Sequence, residues 1–70
     1  MKNKMYLPQF DISADVEIFG NKITVRYEGN ENFPRRLKLK EQYFVVIDGQ
    51  ERIMVLERKG IGSCQFLLQS

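Results

Sequence analysis

The densest run of side chains able to do chemistry is Phe33-Pro34-Arg35-Arg36-Leu37-Lys38-Leu39-Lys40. If this run is extended, Arg36, Lys38 and Lys40 share one face at a spacing of about 6.5–7 Å. That approximates the phosphate spacing of a nucleic-acid strand, and Phe33 or Tyr43 could stack on bases. Arg52 and Arg58 would enlarge the patch if they lie beside it. A basic strand thus gives one candidate function, nucleic-acid binding through Arg35, Arg36, Lys38, Lys40, Arg52 and Arg58. The same alternation of Lys or Arg with Leu also describes a half-buried strand facing water, where lysines deter unwanted edge pairing. Glu41 weakens the positive field.

Other chemistry is sparse. The sequence has no histidine, which removes the commonest general base and metal ligand. With Cys64 as the single cysteine, the usual zinc sets and a Cys–His nucleophile pair are excluded. Gly60-Ile61-Gly62 lacks the helix that would make it a phosphate cradle. The carboxylates fall at turns and exposed strand positions rather than as a pair in a cleft. The expectation is a non-enzymatic protein with no catalytic residue, no metal and no cofactor. Cys64 reads as a small core hydrophobe.

The elements that must position these residues are strands. Ala14 to Phe19 leads through Gly20-Asn21 to Lys22–Tyr27, and Gly at the first of two loop positions suits a type II′ turn. That turn sets Ile18 against Ile23, Val16 against Val25 and Ala14 against Tyr27. On the other face it sets Glu17 against Thr24 and Asp15 against Arg26. After a polar loop from Gly29 to Pro34, residues 35–47 read as one long strand, bent or bulged near Glu41-Gln42. Asp48 to Glu51 forms the second turn. Two registers compete there, and the one that matches apolar with apolar (Val46 on Ile53, Phe44 on Val55, Val45 on Met54) is expected, because a slip of one residue reverses every side chain. Arg58 to Ser63 is a third turn, and Cys64 to Gln69 a final strand.

That final strand lies in a stretch, Gly60 to Ser70, with no charged residue. A strand so neutral is expected to be paired on both sides or docked on another chain. Residues 1–12 have no clear period, and Pro8 argues against a central strand. The fold class expected is all-β: a small five-stranded antiparallel barrel or strongly curved meander, SH3-like in size. Residues 13–70 would form the core and residues 1–12 an extended N-terminal arm.

Seventy residues suit one small domain with a modest core. The net charge is +2, with seven basic and four acidic residues in 35–70 against four and five in 1–34. This balance is too mixed to require a polyanionic partner. The lone cysteine, the lack of a signal-like N-terminus and the short longest apolar run, Tyr43 to Ile47, lead to the expectation of a cytoplasmic protein outside the membrane. Elimination then favours a small adaptor or inhibitor that grips another protein through a strand edge and aromatic anchors. The anchors expected are Phe19, Phe33, Tyr43, Phe66 and Leu67. A homo-oligomer built on the neutral C-terminal strand is a third reading.

Overall fold

The computed structural model describes residues 2–69. Met1, in the expected arm, and Ser70, at the end of the neutral stretch, lie outside them. Six antiparallel strands follow one another: β1 (Lys2–Leu7), β2 (Ile12–Phe19), β3 (Lys22–Arg26), β4 (Gln42–Ile47), β5 (Gln50–Lys59) and β6 (Ser63–Gln69). They close into a barrel in the order β1-β2-β3-β6-β5-β4. The all-β barrel expected from the alternation is present, with six strands instead of five. Among the described residues no helix is long and apolar enough to cross a membrane.

The additional strand is the expected arm. Met5 and Leu7 point inward and are buried, while Lys4 and Tyr6 point outward. β1 runs beside β2 from Lys2↔Glu17 to Leu7↔Ile12, and meets β4 at Met5↔Ile47 and Tyr6↔Val46. Pro8 stands one residue beyond the strand end. Without an N–H it stops the ladder there rather than forbidding the strand before it.

The first hairpin forms as its turn residues require. Gly20 has φ 61°, and Ile18↔Ile23, Glu17↔Thr24 and Val16↔Val25 pair as expected. The charges on its outer face are partnered differently. Arg26 Nε lies 3.3 Å from Glu17, and Asp15 takes Lys4 of β1 at 3.0 Å.

The second hairpin adopts the other register. Ile47↔Gln50, Val46↔Glu51, Val45↔Arg52 and Phe44↔Ile53 pair across a two-residue Asp48-Gly49 turn. Both turn residues are left-handed, with φ 51° and 81°, which is the type I′ geometry that Asp-Gly favours. Turn chemistry thus overrides the matching of apolar partners. The inward residues are Tyr43, Val45, Ile47, Met54 and Leu56, whereas Phe44, Val46, Ile53 and Val55 face outward.

The strand begins only at Gln42, so the long strand expected from Arg35 is absent. β3 and β4 lie on opposite sides of the barrel, and the connection between them crosses one end. Phe33 and Leu37 drop from it into the core. Phe33 packs edge-on against Phe66, with ring centres 6.2 Å apart, and Tyr43 meets Phe66 the same way at 6.2 Å. This loop end also holds the Pro8–Asp11 turn and the β5–β6 turn; the opposite end carries the two tight hairpin turns.

β6 is paired with β3 through Lys22↔Leu67 to Arg26↔Ser63 and with β5 through Ile53↔Gln69 to Lys59↔Cys64. The neutral strand therefore has a neighbour on each side, which resolves its edge problem within the chain.

Candidate interaction surfaces

Closure turns one set of side chains inward, and everything that can meet a partner is on the outer face or at the ends. Of the five expected anchors, Phe33, Tyr43 and Phe66 are buried in the core. Their aromatic mass fills the barrel interior, and they are corrected from anchors to core. Leu67 is half-buried on the outer face of β6, and Phe19 is 89% exposed beside the first turn.

The outer face carries an apolar stripe that was not expected. Phe44 of β4 stands opposite Ile53 of β5, and they are 65% and 37% exposed. On one side Val55 pairs with Leu67; on the other, Val46 pairs with Tyr6. The six side chains form a diagonal across β6, β5, β4 and β1. Hollows flank Phe44. One of about 400 Å³ is lined by Pro8, Gln9, Phe44, Val45, Val46 and Glu51. The other, about 450 Å³, is lined by Phe44, Glu51, Arg52, Ile53 and Gln69. Single exposed apolar residues are ordinary on any protein, whereas a contiguous group rimmed by polar residues marks an interaction site. Alternation puts Phe44 and Val46 on one face of β4 and Ile53 and Val55 on the same face of β5 in either register; the Asp48-Gly49 turn sets Phe44 directly opposite Ile53.

Tyr6 is tethered at one end of the stripe. Its hydroxyl donates to Asp11 at 2.7 Å, and that bond, with lesser contributions from burial and the Asp11 charge, raises the phenol above its usual range.

The basic residues do not form the expected array. Arg35, Arg36, Lys38 and Lys40 lie in the loop, without strand spacing. Arg35 stacks over the Tyr27 ring, its guanidinium carbon 4.7 Å from the ring centre. Lys40 pairs with Glu57 at 2.9 Å, and Lys59 donates to the Leu37 carbonyl at 2.9 Å. Arg58 reaches the same end of the barrel. Arg52, third residue of β5, lies toward the opposite end, about 20 Å away at six strand residues. Phe33 and Tyr43, the expected stacking residues, are buried. Tyr43 instead accepts the Lys38 backbone N–H at 3.0 Å, which fixes the loop.

Cys64 is buried, and burial pushes its thiol up, against smaller lowering effects of Tyr27 and Lys59. Thiolate chemistry is disfavoured there. Among the described residues no group of three or more His, Cys, Asp or Glu could hold a metal ion.

No protein-family model, curated protein or solved structure matches this chain. Its fold and surfaces therefore carry the functional reading by themselves.

Proposed function

We propose that this protein is a non-enzymatic binding module that engages another protein through the Phe44–Ile53 face. The observation that carries the reading is the cross-strand pair of exposed Phe44 and Ile53, continued by Val46–Tyr6 and Val55–Leu67. Exposing such a row costs solubility and gives the fold only the modest gain of cross-strand contact, because the core is already filled beneath it. Aromatic residues at the centre of an apolar patch are the usual energetic anchors of a protein interface. The free strand edge expected in the adaptor reading is largely removed by closure, so the side chains of this face take the leading part.

The size of the stripe bears on the partner. A standard interface draws about 20–30 residues and about 800 Å² from each side. Six stripe residues fall well short, so the face suits a partner segment more than a flat second copy of the chain. The nucleic-acid reading loses its two aromatic platforms to the core and its regular basic spacing to the loop.

The experiment is affinity capture from lysate with nuclease, run in parallel on the wild type and Phe44→Glu/Ile53→Glu, with sedimentation of both. The expected result is a stoichiometric protein held by the wild type and lost from the variant, with both sedimenting as monomers. Equal retention by the two proteins would overturn the reading. A concentration-dependent dimer abolished by the double substitution would transfer the face to self-association.

A further inference from the structure

The seam between β1 and β4 is only partly closed. Two pairs, Met5↔Ile47 and Tyr6↔Val46, span it. Continued, the register would set Leu7 against Val45 and Pro8 against Phe44. Pro8 has no N–H to give, and the chain turns away there: the Phe10 N–H donates back to the Leu7 carbonyl at 3.1 Å.

The direction of the β4 backbone follows from its bonds to β5. Leu56 donates its N–H to the Glu41 carbonyl at 3.2 Å and accepts the Lys40 N–H at 2.8 Å. In an antiparallel ladder successive residues turn their N–H and C=O to alternate neighbours. Glu41, Tyr43, Val45 and Ile47 therefore face β5, while Gln42, Phe44 and Val46 face β1. Val46 finds Tyr6 there. Among the described residues, no β1 residue pairs with Gln42 or Phe44. Phe44, which lines the hollow beside Pro8, and Gln42 two residues along thus present strand donors and acceptors that no β1 residue takes up.

Unpaired strand groups beside an apolar anchor are what an added strand uses: backbone bonds supply affinity, and side-chain pockets supply choice. We propose that the partner docks as an extended peptide strand laid along Gln42–Phe44 in the gap left by Pro8, with an apolar side chain in the Pro8–Phe44–Val46 hollow and a Lys or Arg against Glu51. Glu51 lines that hollow and makes no ion pair among the described residues. A cation in the guest matches it. This inference rests on the reading of the Phe44–Ile53 face and specifies how its partner binds.

The test uses peptides selected on the wild-type protein from a random phage-displayed library, with amide exchange followed residue by residue. In the free protein, the Gln42 and Phe44 amides should exchange at least about ten-fold faster than those of Tyr43 and Val45. Bound peptide should slow both, and the enriched peptides should share an apolar residue near a basic one. Gln42→Pro deletes one outward donor and leaves the stripe side chains in place; it should weaken the peptides about ten-fold or more. Protection of both amides in the free protein, or failure to enrich any peptide, would overturn strand addition. Peptides that bind Gln42→Pro as tightly as wild type without protecting the amides, yet lose affinity on Phe44→Ala, would overturn it and leave side-chain docking standing. Indifference to Phe44→Ala as well would remove both readings.

Discussion

The guanidinium of Arg35 lies over the Tyr27 ring, 4.7 Å from its centre, so the basic run clamps the loop to the barrel it covers. Tyr27 is buried and its ring leads on to Phe33 at 6.4 Å. An Arg–aromatic contact of this kind is worth about 0.5–1 kcal/mol at a partly exposed site. Arg35→Ala should lower stability by about that amount in urea unfolding. A change below the error of the measurement would show that the contact is incidental.

The same tyrosine predicts alkaline behaviour. Burial, then the charge and hydrogen bond of Cys64, push the Tyr27 phenol up to about 12, with Arg35 opposing. In the unfolded chain a tyrosine ionises near pH 10. Below about pH 10 the buried neutral phenol contributes its full stability; between about 10 and 12 the unfolded state gains by ionising first, and stability falls. Tyr6, raised in the same direction by Asp11, adds to the fall. Thermal melts between pH 9 and 12 should decline less steeply for Tyr27→Phe than for the wild type. Identical slopes would mean that Tyr27 ionises in the folded protein as freely as in the unfolded one.

Asn30 stands in for the strand that the loop lacks. Its side-chain amide donates to the carbonyls of Asp15 (3.1 Å) and Arg26 (2.8 Å), and its oxygen accepts the Asp15 N–H at 3.1 Å. These bonds join β2 and β3 just where their ladder ends. Asn30→Ala leaves three backbone groups to find water, at a net cost of about 1–3 kcal/mol. Asn30→Asp keeps the acceptor but sets an acceptor-only carboxylate oxygen against the Asp15 and Arg26 carbonyls, so it should be no more stable than alanine. Chemical denaturation of the three proteins orders them; alanine matching wild type would show that solvent replaces the side chain without loss.

Gly49 completes the turn that sets Phe44 opposite Ile53 in the apolar stripe. At φ 81° a side chain meets a left-handed conformation that costs about 1–2 kcal/mol. Gly49→Ala should lose that much. It should lose it without a change of register, because in the closed barrel β4 is also held by β1 and β5 by β6, so a slip at this hairpin would have to break one of those ladders as well. Cross-strand contacts of Phe44 to Ile53 in the variant check this; contacts of Phe44 to Val55 instead would show that the turn alone held the pairing.

This hairpin also shows where the sequence was legible. Gly20-Asn21 and the clean alternation around it agreed, so turn, register and face of the first hairpin could be read directly. Of the two expectations for the neutral C-terminal strand, pairing on both sides or docking on another chain, the first is what the barrel shows. In the second hairpin the two signals disagreed: Asp-Gly favoured one register, and apolar matching favoured the other. Matching fails because both faces of these strands are apolar: the two registers differ by two residues, so they bury the same side chains and leave Phe44, Val46, Ile53 and Val55 outside, and the turn decides between them. Conflict between local pattern and fold tends to fall at functional or strained sites, and here it coincides with the proposed docking face. β1 is hidden in the sequence because Pro8 argues against a strand that contains it, whereas here it only ends one. The Arg35–Lys40 run was misread because Leu37 and Leu39 alternate like strand residues, yet Leu37 plugs the barrel while Leu39 is exposed. Alternation alone does not distinguish a strand from a loop that drops single side chains into an open barrel end.

The basic end of the barrel yields the last prediction. Arg36, Lys38 and Arg58 are exposed there, whereas Lys40 is paired with Glu57 and Arg35 is engaged with Tyr27. Three exposed cations without an aromatic platform give only weak attraction to a phosphate chain, and that attraction falls with salt in proportion to the phosphates neutralised. A single-stranded oligonucleotide should therefore bind only at low ionic strength and be released near 0.15 M salt, where screening acts over about 8 Å. Arg36→Glu/Lys38→Glu should remove this residual binding and shift stability by no more than about 0.5 kcal/mol, since both side chains are solvated. Fluorescence anisotropy across a salt series measures both proteins together. Tight binding that persists at 0.15 M salt in the wild type and vanishes in the double variant would make this end, and not the Phe44–Ile53 face, the working surface of the protein.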